Sequence, residues 1–293
     1  MVKQEKQSLI EETTPPENNF GGVYHPKNSV NNLTGKEWLF FTKSVIRTSY
    51  PSEYGHKIRK KHYANKPPQL MKLIIEFFTK QGESVLDPFC GVGGTLIGAS
   101  LSKRKAVGIE INNEWLEIYK EVCQKERILL QDVHQGDCYD IMSSMVDDGV
   151  LFDSIVTDPP YSPALEKTIC DEKYGWANRK SNFSNFSNEH KDLRNLKTFE
   201  EYYDEMQKRG KLMYNLLKNG KYLALMIRDS YQKGEYIPAS FYIAERYKEV
   251  GFVFKGIKIW YSTGAPVRPY GYPYSYVPNI VHHNILIFKK EER

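Results

Sequence analysis

Ser84-Val85-Leu86-Asp87-Pro88-Phe89-Cys90-Gly91-Val92-Gly93-Gly94-Thr95 reads as a short apolar strand that runs into a glycine turn. The residues after it predict a helix from about Leu96 to Lys103, and then a second strand, Ala106-Val107-Gly108-Ile109-Glu110. Strand, tight turn, helix and strand at this spacing form the opening unit of a parallel sheet. Upstream, Pro67-Pro68 opens Gln69-Leu70-Met71-Lys72-Leu73-Ile74-Ile75-Glu76-Phe77-Phe78, whose apolar residues recur at helical spacing. Downstream, Asn113 to Leu130 predicts an amphipathic helix and His134-Gln135-Gly136-Asp137 a third strand or its exit. Phe152 to Thr157 is a fourth strand leading into Asp158. A helix over Phe199–Leu217, a fifth strand over Lys221–Ile227 and a helix over Ile237–Val250 continue the alternation. Phe252–Tyr261 and Val281–Phe288 are late β segments suited to close the sheet. The expected architecture is α/β: a Rossmann-like, doubly wound, mostly parallel sheet with closing antiparallel strands.

Ligands of such sheets bind at the carboxyl ends of the strands. Glu110, Asp137 and Asp158 fall at three of those ends, and the first strand runs through Asp87 into the glycine turn. Glycines there let backbone approach a ligand closely. Glu110 is placed to accept hydrogen bonds from a ribose diol, and Asp137 from an adenine amino group. The turn reads Gly-x-Gly-Gly and lacks the third glycine of a dinucleotide fingerprint; GxxxxGK(S/T) is absent too, which argues against phosphate-cradling NTPase chemistry. These residues describe an adenosine-type ligand, the plain alternative being a tight packing turn.

The fourth strand ends in Asp158-Pro159-Pro160-Tyr161. Two prolines in a row fix the backbone and bias Asp158 toward extended conformations. A carboxylate, a carbonyl and a ring are thereby held in fixed relation. That arrangement suits a planar group carrying an NH2, although Asp and Pro also suit an ordinary turn.

With 293 residues, the chain is long enough for one large α/β domain. We expect a flexible tail over residues 1–22 and a single domain over 23–293, with inserted loops at 171–198 and 262–280. The net charge of +5 is a mild basic bias, compatible with nucleic acid. Cys90, Cys123, Cys138 and Cys170 show no CxxC pair or zinc-like spacing, so reduced thiols and no metal site are expected. No secretory signal and no membrane-length apolar run is visible, and a cytoplasmic protein is expected.

The chain resembles the S-adenosylmethionine-dependent N6-adenine and N4-cytosine DNA methyltransferases. That family carries FxGxG after the first strand and (D/N/S)PP(Y/F/W) after the fourth, present here as Phe89-Cys90-Gly91-Val92-Gly93 and Asp158-Pro159-Pro160-Tyr161. Lys66-Pro67-Pro68-Gln69-Leu70 resembles the motif that helps hold the methionine end of the cofactor. The resemblance covers residues 56 to 161 well and the tail around His283–Phe288 more loosely. It implies a class I methyltransferase fold and S-adenosylmethionine as cofactor. Lys66, Pro67, Asp87, Phe89, Gly91, Gly93, Thr95, Glu110 and Asp137 would bind it, with Asp87 near the methionine amine, Glu110 on the ribose and Asp137 on the adenine. Asp158, Pro159, Pro160 and Tyr161 would be catalytic: Asp158 and the Pro159 carbonyl accept the target amine's N–H bonds, and Tyr161 stacks on a base flipped from the duplex.

Asp rather than Ser before Pro-Pro leans to adenine N6. N4-cytosine, RNA N2-guanine and an inactive DNA- or partner-binding scaffold stay open. Cytosine C5 chemistry needs a cysteine nucleophile, which that family carries in a Pro-Cys pair, and no cysteine here follows a proline. DNA is the expected partner, with a homodimer or a restriction-system subunit left open. Lys57, Arg59, Lys60 and Lys61, with Arg179, Lys180 and Arg268 in the two long loops, are candidate nucleic-acid contacts. Trp38-Leu39-Phe40-Phe41 is expected to pack in the core.

Overall fold

The computed structural model describes residues 22–62, 65–161 and 192–292. The helices are α1 (Gly35–Phe41), α2 (His56–Arg59), α3 (Pro68–Phe78), α4 (Gly94–Leu101), α5 (Asn113–Glu126), α6 (Cys138–Asp147), α7 (Phe199–Leu216) and α8 (Ala239–Val250). The strands are β1 (Val45–Arg47), β2 (Ser84–Asp87), β3 (Lys105–Glu110), β4 (Asp132–Gln135), β5 (Phe152–Thr157), β6 (Leu217–Ile227), β7 (Ser230–Gln232), β8 (Glu235–Ile237), β9 (Val253–Tyr261) and β10 (His282–Lys289). Eight of them form one sheet in the order β1-β9-β10-β6-β5-β2-β3-β4, and β7 and β8 make a separate hairpin. β10 runs antiparallel to both its neighbours, while the β6-β5-β2-β3-β4 block is parallel throughout. The fold is the expected α/β sheet, mostly parallel and closed by antiparallel pairing.

The inner strands are apolar on both faces because helices cover both. Val85, Val156, Ala224, Met226 and Ile285 face one core layer; Leu86, Ile155, Leu223, Leu225 and Leu286 face the other. The period of two along each strand assigns neighbours to opposite sides. Helices α3, α4 and α5 fill the first layer, and α6, α7 and α8 the second. Helix α3 starts at Pro68, where the missing N–H costs nothing, and buries Leu70, Met71, Ile74, Ile75, Phe77 and Phe78.

The chain runs outward from β2 through β3 to β4, then returns to lay β5 on the other side of β2. Strand order therefore reverses between β2 and β5, and the crevice above their carboxyl ends is the place such sheets bind ligands. Asp87 ends β2, and Asp158 follows β5.

Several elements depart from expectation. Helix α5 stops at Glu126 instead of Leu130, because Arg127 takes a left-handed conformation (φ 54°) and its N–H closes on the Cys123 carbonyl. The third strand is Asp132–Gln135, and Asp137 caps α6, a helix not anticipated. Strand β6 begins at Leu217 rather than Lys221. Among Trp38–Phe41, Phe41 is buried against Phe77 at 3.8 Å, but Leu39 and Phe40 are exposed, so only one side of α1 meets the core. The expected tail, all but residue 22, and residues 171–191 of the first inserted loop lie outside the described residues.

Candidate functional site

A cavity of about 580 Å³ opens at the reversal point, within the size range of small-molecule sites. Its floor is the glycine loop. Gly93 N–H bonds to the Cys90 carbonyl, and Gly93 precedes α4 in a left-handed conformation (φ 76°). The N-cap Gly93 has no side chain to cap the α4 N-terminus, and Gly94 and Thr95 line the cavity.

Asp87 and Glu110, which end β2 and β3, and Asp137, which follows β4, are three of the acids that border this space. Asp87 is buried; Phe89 N–H (3.1 Å) and the Thr157 hydroxyl (2.7 Å) both donate to its Oδ1. Burial pushes its pKa up to about 6, against hydrogen bonds from Thr95 and Thr157. Glu110 accepts from Gly91 N–H at 3.0 Å and Asn112 N–H at 2.9 Å, tying the loop to the end of β3. Burial pushes its pKa up to about 7. Asp137 accepts from Tyr139 N–H at 2.7 Å and pairs at 3.3 Å with the buried Arg209, which also holds Glu205.

A carboxyl whose pKa is higher in the folded state stabilises the fold while protonated. For Asp87 and Glu110 that contribution is complete below about 4 and lost as pH rises through about 7. Thermal melts of the ligand-free protein should therefore decline from pH 4.5 to 7.5. Glu110→Gln should flatten that decline, and an unchanged slope would contradict the assignment.

The fourth strand end is the most crowded. Lys66 Nζ pairs with Asp158 Oδ2 at 2.8 Å, and the Tyr161 hydroxyl donates to Oδ1 at 2.5 Å. Burial raises the Asp158 pKa, and Lys66 is the largest opposing influence. A carboxylate offers about four lone-pair directions, so two remain for a further donor. Among the described residues no donor reaches the Pro159 carbonyl. The Pro160 carbonyl accepts from the Tyr202 hydroxyl at 2.5 Å, which fixes the turn to α7. The Tyr161 ring meets His283 edge-on at 5.7 Å, and His283 stacks on Trp260 at 5.0 Å. Burial, with Lys66 and Arg228 nearby, drives the His283 pKa down to about 2, so this ring is neutral at any working pH.

The structure thus gathers Lys66, Asp87, Phe89, Gly91, Thr95, Glu110, Asp137, Asp158, Pro159, Pro160 and Tyr161 around one cavity. Pro67 and Gly93 stand behind it as helix caps. His283, Trp260, Arg209 and Asp229 also line it and were not singled out from sequence. Asp229 follows β6 as Asp158 follows β5, so the rule of acids at strand ends could have found it.

One expectation is corrected. Arg59 is not a surface phosphate contact: it is 1% exposed and donates to the Val92 and Lys66 carbonyls. Lys57, Lys60 and Lys61 are exposed, as their position in a short surface helix and turn requires. Arg268 does not itself line the cavity, although its loop does through Tyr270, Val277 and Pro278; Asn279 ties the loop by accepting from Arg268 N–H and donating to its carbonyl, both at 2.8 Å. Arg179 and Lys180 lie outside the described residues. No helix among the described residues is long and apolar enough to cross a membrane.

Comparison with known proteins gives the following. A model of the N6/N4 methyltransferase family, described as DNA methylase, matches residues 2–121 and 152–293. The type II methyltransferase M.HpaI of Haemophilus parainfluenzae is 35% identical over 98 residues, 33% of this chain and 30% of that protein. The tRNA (guanine(10)-N2)-dimethyltransferase of Methanothermobacter thermautotrophicus is 38% identical over 95 residues, 32% of this chain and 27% of that protein. The chain therefore spans less than a third of the length of these curated relatives. Among solved structures, TrmN from Thermus thermophilus is similar with a TM-score of 0.46 at 13% identity, covering 76% of this chain and 48% of that one.

Proposed function

This chain belongs to the N6/N4 DNA methylase family, and from that premise we propose that it methylates the exocyclic N6 amine of adenine in DNA. S-adenosylmethionine is the cofactor of this methyltransferase family, and the cavity fits it: acids at the ends of β2, β3 and β4 face one space of suitable volume beside an uncapped helix start. Asp87 and Thr95 would hold its amino-acid end, Glu110 its ribose and Asp137 its adenine. When bound, it supplies a methyl group made electrophilic by a sulfonium.

The observation that carries the reading is the pairing of Asp158 with a Pro159 carbonyl that no donor among the described residues claims, at the reversal point of the sheet. An adenine amine is a poor nucleophile because its lone pair is delocalised into the ring. Accepting one N–H on the Asp158 carboxylate and the other on the Pro159 carbonyl favours tetrahedral nitrogen and frees the lone pair. The two prolines fix these acceptors before substrate arrives, so no reorganisation is spent on them. Lys66 opposes the burial that raises the Asp158 pKa, favouring the carboxylate. As the nitrogen gains positive charge, Asp158 is placed to take its proton. Tyr161 and the neutral His283–Trp260 stack offer apolar faces for a base rotated out of the helix.

Asp at the first motif position favours adenine over cytosine. Guanine N2 in RNA is the second reading, favoured by the tRNA-modifying relative. We place the protein in the cytoplasm, in keeping with Cys90, Cys123 and Cys138 being unpaired. The deciding measurement is nucleoside mass spectrometry after incubating DNA or RNA with protein and S-adenosylmethionine. N6-methyladenine in DNA is expected. N4-methylcytosine or N2-methylguanine would replace the base assignment, and no methylated nucleoside in either polymer would leave a binding scaffold.

A further inference from the structure

Arg59 sits among exposed lysines yet is itself almost fully buried, and it lines the cavity beneath the glycine loop. Its Nε donates to the Val92 carbonyl at 3.2 Å and its Nη2 to the Lys66 carbonyl at 2.6 Å. Both acceptors are neutral. Among the described residues no carboxylate forms a salt bridge with it, and three of its five N–H donors are unspent. Burial lowers its pKa only to about 10, so it is a full cation at neutral pH.

An uncompensated charge in this setting is costly, and buried cations ordinarily have a counter-charge. Two other buried cations differ. Arg104 lies in the field of Glu76 and Glu83, and burial holds Lys258 down at about 8, where loss of a proton is easy. Neither borders the cavity. Lys66 and Arg209, buried cations that do border it, are paired with Asp158 and with Asp137 and Glu205. Gly94 is part of the same arrangement, because a Cβ there would stand 3.1 Å from Arg59 Nη2 and 3.0 Å from the Lys66 carbonyl.

Asp87 is the complementary feature. It is a buried acid on the same cavity, not paired with Arg59; the Phe89 N–H and Thr157 bonds both fall on its Oδ1, and Thr95 also hydrogen-bonds it. A cation and an acid that border one cavity without neutralising each other match the two charges of an α-amino acid.

We propose that Arg59 receives the α-carboxylate of the cofactor's methionine moiety, across from Asp87, which the family resemblance already sets near its α-ammonium, an assignment that rests on the cofactor reading above. Arg59 is thereby a cofactor-binding residue and not a nucleic-acid contact.

Calorimetric titration with S-adenosylhomocysteine and with its decarboxylated analogue, which lacks only the carboxylate, tests this without reference to activity. The wild-type protein should bind S-adenosylhomocysteine about 10- to 100-fold more tightly than the analogue, as expected for charge-assisted hydrogen bonds. Arg59→Met should bring the two affinities together by weakening only the first, and Arg59→Lys should recover part of the difference. Equal wild-type affinities, or equal weakening of both ligands in Arg59→Met, would overturn the proposal. Should Arg59→Met fail to fold, Arg59→Lys takes its place, and an affinity ratio unchanged from wild type in that variant would overturn the proposal. Wild-type binding of neither ligand would instead sink the cofactor reading, and the assignment with it.

Discussion

Asp158→Ala is expected to lower the single-turnover rate of methyl transfer by about 10²- to 10³-fold, the range for removing one preorganised charge-stabilising group. Two effects add in the same direction. The variant removes the acceptor that draws the amine toward tetrahedral geometry and takes its proton. It also removes the carboxylate 2.8 Å from Lys66 Nζ, so that this buried charge is no longer offset by Asp158 next to nitrogen that is gaining positive charge. The double variant Lys66→Met/Asp158→Ala separates the two: recovery of part of the rate over Asp158→Ala measures the repulsion, and the remainder is the lost acceptor. S-adenosylhomocysteine affinity should stay within a few-fold, because Asp87, Glu110 and Asp137 keep their backbone partners. An unchanged rate would remove Asp158 from the chemistry, and loss of cofactor binding would move it to the cofactor side of the cavity.

The sheet was legible because its signals are local. Val85-Leu86, Ile155-Val156 and Leu223 to Ile227 are unbroken apolar runs short enough for strands, and they turned out to be covered on both faces. Acids after the strands were legible for the same reason. Helix α6 carried a signal that went unread: Cys138, Ile141, Met142, Met145 and Val146 recur at helical spacing behind an Asp that caps them. Reading Asp137 only as a ligand acid hid its second use as that cap.

Other features had no local signal. Lys66 and Asp158 meet only because α3 and β5 pack together, and nothing around either residue announces the other. Arg59 was misread for a related reason. A run of Lys and Arg resembles a solvated face, and only the packing of α2 under the glycine loop and against α5 singles out one side chain for burial. Charge composition predicts a segment's surface character, but not which member of the segment is drawn inside.

The glycine loop invites the sharpest test of packing. Gly93→Ala is expected to destabilise the protein by about 2–5 kcal/mol. About 1–2 kcal/mol comes from placing a side chain in the left-handed region at φ 76°, and the rest from overpacking. The new methyl would stand 2.1 Å from Tyr119 Cδ2 and 2.7 Å from Cε2, distances no side chain tolerates. Tyr119 cannot easily withdraw: it is 0% exposed, and its hydroxyl accepts from Gln131 N–H at 2.9 Å, so moving the ring breaks a bond beside β4. At about 2–4 °C per kcal/mol, the melting temperature should fall by roughly 4–20 °C. Gly82→Ala is the control, since its φ of 83° is equally left-handed but a Cβ there meets nothing within 4 Å. It should cost only the conformational part. If thermal melts show equal shifts for the two variants, backbone strain alone explains Gly93, and Tyr119 does not brace the loop. A larger shift at Gly93 ties the cavity floor to α5, so that the loop's position is set by a core tyrosine rather than by the ligand it would hold.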